Sequence, residues 1–185
     1  MRLVAFALML AVTAGCQTIP DGPGTDPVTQ GRVDAAMGWI AAHSDLPRPD
    51  RRPDVAWVPL SDIQSASAAV RVMLPGALPS GTQTGALYDG TAIYVPEETR
   101  VFSIWGQALL LHEVVHYMQH RSGRRYACTA AMEQEAYRLM FAYMRDHGHA
   151  FERSLKGDPE QFLASLACPA GGPTDLPAWA MANRH

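Results

Sequence analysis

The chain has 185 residues, of which 48% are hydrophobic and 18% are charged. This balance is typical of a globular protein and excludes a disordered, collagen-like or coiled-coil chain. The length predicts one main domain. Fifteen basic residues against eighteen acidic ones give a formal net charge of −3, so no basic excess indicates nucleic acid as a partner.

The first 15 residues have the layout of a bacterial signal peptide. A charged start is followed by an apolar run over residues 3–12, which is too short to span a bilayer. Small residues then precede Cys16, in a pattern that resembles the lipobox of bacterial lipoproteins. The resemblance implies that Cys16 carries lipid, with plain secretion as the alternative, and residues 16–26 are predicted to form a flexible tether. Gln17 is not the Asp that commonly retains lipoproteins in the inner membrane, which favours the periplasmic face of the outer membrane.

The cysteines agree with a location outside the reducing cytosol. If Cys16 carries lipid, Cys128 and Cys168 remain as an even pair. We predict a disulfide between them, which closes a loop of 41 residues. Two buried free thiols are the alternative.

The hydrophobic pattern predicts a mixed α+β domain over residues 27–170, followed by a tail at residues 171–185. Apolar residues at helical spacing predict helices at residues 27–43, 103–120, 129–147 and 159–167, and a strand is predicted at residues 55–58. Asp89-Gly90 separates two short apolar stretches, residues 86–88 and 91–95, and predicts a hairpin with a type I′ turn. We expect the strand at residues 91–95 to lie at a sheet edge, where it either aligns a peptide substrate or is an ordinary edge.

The longest apolar helix contains the sequence His112-Glu113-Val114-Val115-His116. Positions four residues apart lie on one side of a helix, so the two imidazoles can share a tetrahedral zinc ion. Glu113 lies about 100° around the helix from His112, beside the metal, where it can act as a general base. Because polar groups inside an apolar helix are costly without partners, this pattern predicts a metal site.

A catalytic zinc usually has three protein ligands and one open position, so a third ligand is expected downstream. Glu133 and Glu135 are the candidates. Both fall near the border of the apolar side of the following helix, which is predicted to consist of Met132, Ala136, Leu139, Met140 and Tyr143. The helical wheel does not separate them.

With these residues the chain resembles the gluzincin group of zinc metallopeptidases, in which a ligand Glu follows His-Glu-x-x-His after about 18 or 19 residues. Here 18 residues separate His116 from Glu135, whereas 16 separate it from Glu133. The resemblance therefore implies one Zn²⁺ per chain, held by His112, His116 and Glu135, in a small zincin-like domain. In thermolysin-like members an Asp four residues beyond the ligand Glu orients an imidazole. Leu139 occupies that position here, so the sequence does not identify the orienting partner.

The implied activity is zinc-dependent hydrolysis of a peptide or protein at the bacterial envelope, with Glu113 transferring the proton. The developing oxyanion needs a donor, and we assign this role to Tyr137, with Tyr94 and Tyr117 as the other candidates. Two alternatives stay open. One is a non-catalytic zinc-binding lipoprotein, and the other is a zinc amidase acting on a cell-wall fragment.

Overall fold

A computed structural model describes residues 27–64, 85–97, 99, 103–149 and 158–168. The predicted signal peptide, the lipidation site Cys16, the tether and the tail at residues 171–185 lie outside these residues. Among the described residues, no helix is both long enough and apolar enough to cross a membrane.

The structure is a mixed α+β fold, as predicted. Its elements in chain order are α1 (Pro27–His43), β1 (Asp54–Val58), α2 (described at residues 60–64), β2 (Leu87–Tyr88), β3 (Ala92–Pro96), α3 (Ile104–Ser122), α4 (Thr129–Asp146) and α5 (Pro159–Ser165). The helices predicted from periodicity all form, and their ends agree with the prediction to within two residues.

Local capping explains where α3 begins and ends. The Ser103 hydroxyl accepts a hydrogen bond from the Gly106 amide at 3.0 Å, which satisfies one of the free N–H groups of the first turn. At the other end Gly123 adopts a left-handed conformation with φ of 65° and donates its amide to the His120 carbonyl. These two caps fix the length of the helix that carries the His-Glu-x-x-His motif.

The sheet has three described strands in the order β1-β3-β2. β1 runs parallel to β3, whereas β2 is antiparallel to it. β3 therefore lies between the other two, and the prediction that residues 91–95 form a sheet edge is wrong. Of the described strands, β2 is the edge strand that packs against α3.

The hairpin between β2 and β3 forms, but its predicted type I′ turn at Asp89-Gly90 is wrong. Tyr88 pairs with Ile93, so the turn is shifted by one residue and its central residues are Gly90 and Thr91. Gly90 has a φ of 99°, and no residue other than glycine has a positive φ in the described part of the chain. The Asp89 carboxylate accepts hydrogen bonds from the amides of Thr91 and Ala92 at 2.7 and 2.9 Å. This side-chain bonding stabilises the turn without a left-handed Asp.

The core forms around α3, which packs against α1, α4 and the sheet. Its buried side chains include Val33 and Ile40 of α1, Ile93 and Val95 of β3, Leu111, Val114, Val115 and Met118 of α3, and Met140 and Met144 of α4. Ten consecutive residues of α3, from Leu110 to Gln119, are buried. Any polar side chain in that stretch therefore needs a partner inside the protein.

The disulfide predicted from the cysteine count is present. Cys128 precedes the first residue of α4, and it is bonded to Cys168, three residues after α5 ends. The bond ties the start of α4 to the chain beyond α5.

Candidate metal centre

The two motif histidines lie side by side on α3. His112 and His116 are one helical turn apart and both are buried, with 7% of each residue exposed. Their rings meet edge to face with centroids 4.8 Å apart. Their Nε2 atoms are 3.2 Å apart and point towards α4.

Glu133, in the second turn of α4, completes this cluster. Its Oε2 lies 3.3 Å from the Nε2 of His112, and its Oε1 lies 3.3 Å from the Nε2 of His116. With one ligand atom taken from each of the three residues, these atoms lie within 4.8 Å of one another. The three side chains thus form a cluster of the kind that could hold a metal ion.

Glu135 does not reach the imidazoles, so the prediction that it meets them is wrong. Its carboxylate accepts hydrogen bonds from Gln119 at 3.0 Å, from Arg124 at 2.8 Å and from the Tyr126 hydroxyl. Residues two apart on a helix point about 200° away from each other, so Glu133 and Glu135 cannot both face the same point. The packing of α4 on α3 directs Glu133 to the histidines and Glu135 to the loop between the helices.

The donor types of the cluster are ones that zinc takes in proteins. Tetrahedral ligands at about 2.0–2.1 Å from zinc lie about 3.3 Å from one another. The two Nε2 atoms are 3.2 Å apart, and each of them lies 3.3 Å from a different oxygen of the Glu133 carboxylate. These distances are at or beyond the long end of ordinary hydrogen bonds, which fall mostly near 2.9–3.0 Å. Two imidazoles and one carboxylate also form the donor set of a catalytic zinc site with one open position.

The electrostatics of the cluster favour a positive charge at its centre. Burial alone lowers the pKa of His116, but the charge of Glu133 and the hydrogen bond that the ring donates to it outweigh burial and raise the pKa from 6.5 to about 9. Burial alone raises the pKa of Glu133, but His116 and His112 outweigh it and hold the pKa well below its ordinary value. The buried carboxylate therefore stays ionised and needs a cation beside it, which is either a proton on His116 or a metal ion.

Glu113 lies beside the cluster and faces the edge strand. It is buried, and burial raises its pKa, while the nearby His112 and His116 act in the opposite direction. The backbone amide of Tyr88 in β2 donates a hydrogen bond to its carboxylate. A carboxylate whose pKa is raised by burial beside such a cluster is suited to accept and return a proton.

Of the three tyrosines considered as oxyanion donors, Tyr137 is beside the cluster. Its ring centroid is 4.4 Å from that of His112, and burial together with the charges of Glu133 and Glu113 raises its pKa. The other two are engaged elsewhere. Tyr117 donates to the carbonyl of Arg51 at 2.7 Å, and Tyr94 forms a side-chain hydrogen bond with Asp89.

Gln119 is a site residue that the sequence interpretation missed. It is 1% exposed, and its Oε1 lies 2.9 Å from the Nδ1 of His116. Its Nε2 donates to the carbonyl of Met132 at 3.1 Å and to Glu135 at 3.0 Å. The signal that identifies it is its position, three residues after His116 and therefore on the same side of α3.

The chain matches the model of a family described as a domain of unknown function, DUF6647, over residues 26–153. The match includes both helices of the cluster. Comparisons with curated proteins and with solved structures gave no match.

Proposed function

We propose that this chain, which belongs to the DUF6647 family, is a zinc-dependent hydrolase that cleaves a peptide bond in a peptide or protein. The proposal is carried by the convergence of His112, His116 and Glu133, in which the two Nε2 atoms are 3.2 Å apart and each lies 3.3 Å from one oxygen of the carboxylate. Glu113 supports it, because a buried carboxylate next to such a site has few other uses.

His112, His116 and Glu133 would hold the zinc ion and, as three protein ligands, would leave it one open position. The bound zinc would polarise a scissile carbonyl and lower the pKa of a water molecule towards about 7. Glu113 accepts the proton of the attacking water and passes it to the leaving amine. The Tyr137 hydroxyl donates a hydrogen bond to the carbonyl oxygen as negative charge develops there.

The predicted lipid anchor at Cys16 assigns this activity to the bacterial envelope, at the periplasmic face of the outer membrane. Peptides and proteins of that compartment are then the proposed substrates. The predicted tether, residues 16–26, allows the domain to reach substrates near the membrane surface.

The proposal is tested with the full chain purified in detergent. We expect about one zinc per chain and cleavage of a mixed peptide library, followed by mass spectrometry. Glu113→Gln keeps the shape of the base and all three zinc ligands, so we expect it to bind zinc equally and to cleave roughly 10²–10⁴-fold more slowly. Glu97→Gln, an exposed position after β3, is the matched control and should change neither quantity.

The possible outcomes separate the candidate functions. Equal zinc binding with no product from either form would reject hydrolysis and leave a non-catalytic zinc-binding protein. Cleavage confined to amide bonds of cell-wall fragments would replace the peptidase with an amidase. Absence of zinc from the wild-type protein would reject the metal site itself.

A further inference from the structure

A chain of hydrogen bonds lies behind His116, on the side away from Glu133. We propose that Gln119, held in place by Glu135, is a positioning residue that makes the Nε2 of His116 the atom available to zinc. This inference rests on the proposed zinc site and adds to it the residues that orient one ligand.

The orientation of the Gln119 amide follows from its neighbours. Two hydrogen-bond acceptors, the Met132 carbonyl and the Glu135 carboxylate, lie 3.1 and 3.0 Å from one end of the amide. Only the NH₂ end can satisfy two acceptors, because it carries two hydrogens. A flipped amide would direct its oxygen at both of them and leave them without a donor, which is costly in a buried place.

This orientation determines the tautomer of His116. The Oε1 of Gln119 faces the Nδ1 of His116 at 2.9 Å, so Nδ1 must carry the hydrogen. A neutral imidazole with its hydrogen on Nδ1 has its lone pair on Nε2. That lone pair points to the centre of the cluster, beside Glu133. Gln119 thus fixes both the ring orientation and the ligating atom.

Glu135 fixes Gln119 in turn. Its charge is compensated by Arg124 at 2.8 Å, and the Tyr126 hydroxyl donates to the same oxygen as Gln119 does. The support is specific to one ligand. The Nδ1 of His112 is buried, and among the described residues it has no hydrogen-bond partner. Damage to this network should therefore act on His116.

The test measures the zinc dissociation constant of the full chain by competition with a chelator. Gln119→Leu removes the amide at similar volume, and we expect it to weaken zinc binding roughly 10–100-fold. Gln107→Leu is the matched control on the same helix. It removes a residue that accepts from the Tyr143 hydroxyl at 3.0 Å, and it should leave zinc affinity unchanged.

Two further measurements distinguish positioning from general damage to the fold. The visible spectrum of the cobalt(II) form reports the ligand geometry, and we expect it to change in Gln119→Leu but not in Gln107→Leu. The double variant Gln119→Glu with Glu135→Gln restores an acceptor for His116 and a donor between positions 119 and 135. We expect it to recover part of the lost affinity, because the Met132 carbonyl stays without its donor.

The inference is overturned if Gln119→Leu binds zinc as tightly as the wild type, or if Gln107→Leu loses as much affinity. If Gln119→Leu does not fold, Glu135→Gln takes its place, and unchanged affinity in that variant also overturns the inference. Wild-type protein that binds no zinc would reject the proposed site as well. Wild-type binding that is indifferent to Gln119 and Glu135 would reject only the positioning role.

Discussion

Replacement of Glu133 tests which glutamate is the third ligand. Glu133→Gln removes the charge that lies between the two imidazoles but keeps the volume of the side chain. Glu135→Gln is the matched control, since it is the same substitution two residues further along α4 and on the opposite side of the helix. We expect zinc to stabilise the wild-type protein and Glu135→Gln, but not Glu133→Gln.

The magnitude follows from linkage. A ligand at 100 times its dissociation constant stabilises the folded state by about 2.7 kcal/mol. For a domain of this size, this raises the melting temperature by about 5–10 °C. Zinc sites bind with about 10–16 kcal/mol, so one of four ligands contributes about 2.5–4 kcal/mol, or two to three powers of ten in affinity. At the same zinc concentration Glu133→Gln would then retain about 0.1–0.4 kcal/mol of stabilisation, a shift of about 2 °C or less.

The assay is thermal unfolding of the three proteins at one zinc concentration, each compared with its own metal-free form. If loss of the Glu135 charge weakens binding about tenfold, about 1.4 kcal/mol of stabilisation remains, a shift of roughly 3–6 °C. A full shift in Glu133→Gln together with no shift in Glu135→Gln would refute the assignment and make Glu135 the ligand.

Three other predictions concern protons, the disulfide and the core. Because the pKa of His116 is raised from 6.5 to about 9, its stabilisation of the metal-free protein is present below pH 6.5 and lost as the pH rises through 9. Zinc must displace that proton, and a zinc-bound water with a pKa near 7 would lose most of another. Calorimetry at pH 7.5 in buffers of different ionisation enthalpy should therefore show release of about one to two protons, and heats independent of the buffer would contradict this. Cys168→Ser should lower the free energy of unfolding by about 4 kcal/mol in the loop-entropy model, because it removes the bond to Cys128. The wild type with reductant should melt at the same temperature as this variant. Equal melting temperatures for the variant and for the wild type with and without reductant would exclude a stabilising bond. Leu111→Ala, at a fully buried position, should cost about 2.7–5 kcal/mol in urea unfolding, while Val28→Ala at an exposed position should cost little. Equal effects at the two positions would be inconsistent with the burial of α3.

The helices could be predicted from the sequence because local signals fix them. Periodicity located α3, while Ser103 and Gly123 supplied the groups that cap it. The motif was equally local, since two histidines four residues apart on a helix must lie side by side. The position of Asp89 in its turn was less predictable, because its side chain bonds to two backbone amides and replaces the backbone conformation that a type I′ turn requires.

Which glutamate is the third ligand depends on how α4 is rotated about its own axis relative to α3. The number of residues between the histidines and the glutamates does not determine this rotation. At 100° per residue, Glu133 lies about 20° from both Met140 and Met144, and both methionines are buried. The predicted inner side of α4 included Met140 but not Met144, which left Glu133 and Glu135 about equally far from its centre. Inclusion of Met144 moves that centre towards Glu133, so the sequence held the signal. The length of the loop before α4 did not indicate which side of α4 faces α3.

A more general rule identifies the site from α3 alone. The buried polar side chains of this helix are His112, Glu113, His116 and Gln119, and all four belong to the candidate centre. Burial of an unpaired polar group costs a few kcal/mol, so a helix that is buried all round keeps such residues only where they are paired. The His-Glu-x-x-His motif accounts for the first three residues but does not include Gln119. The cost of burial applies to all four, and it places Gln119 with the histidines without reference to any known family.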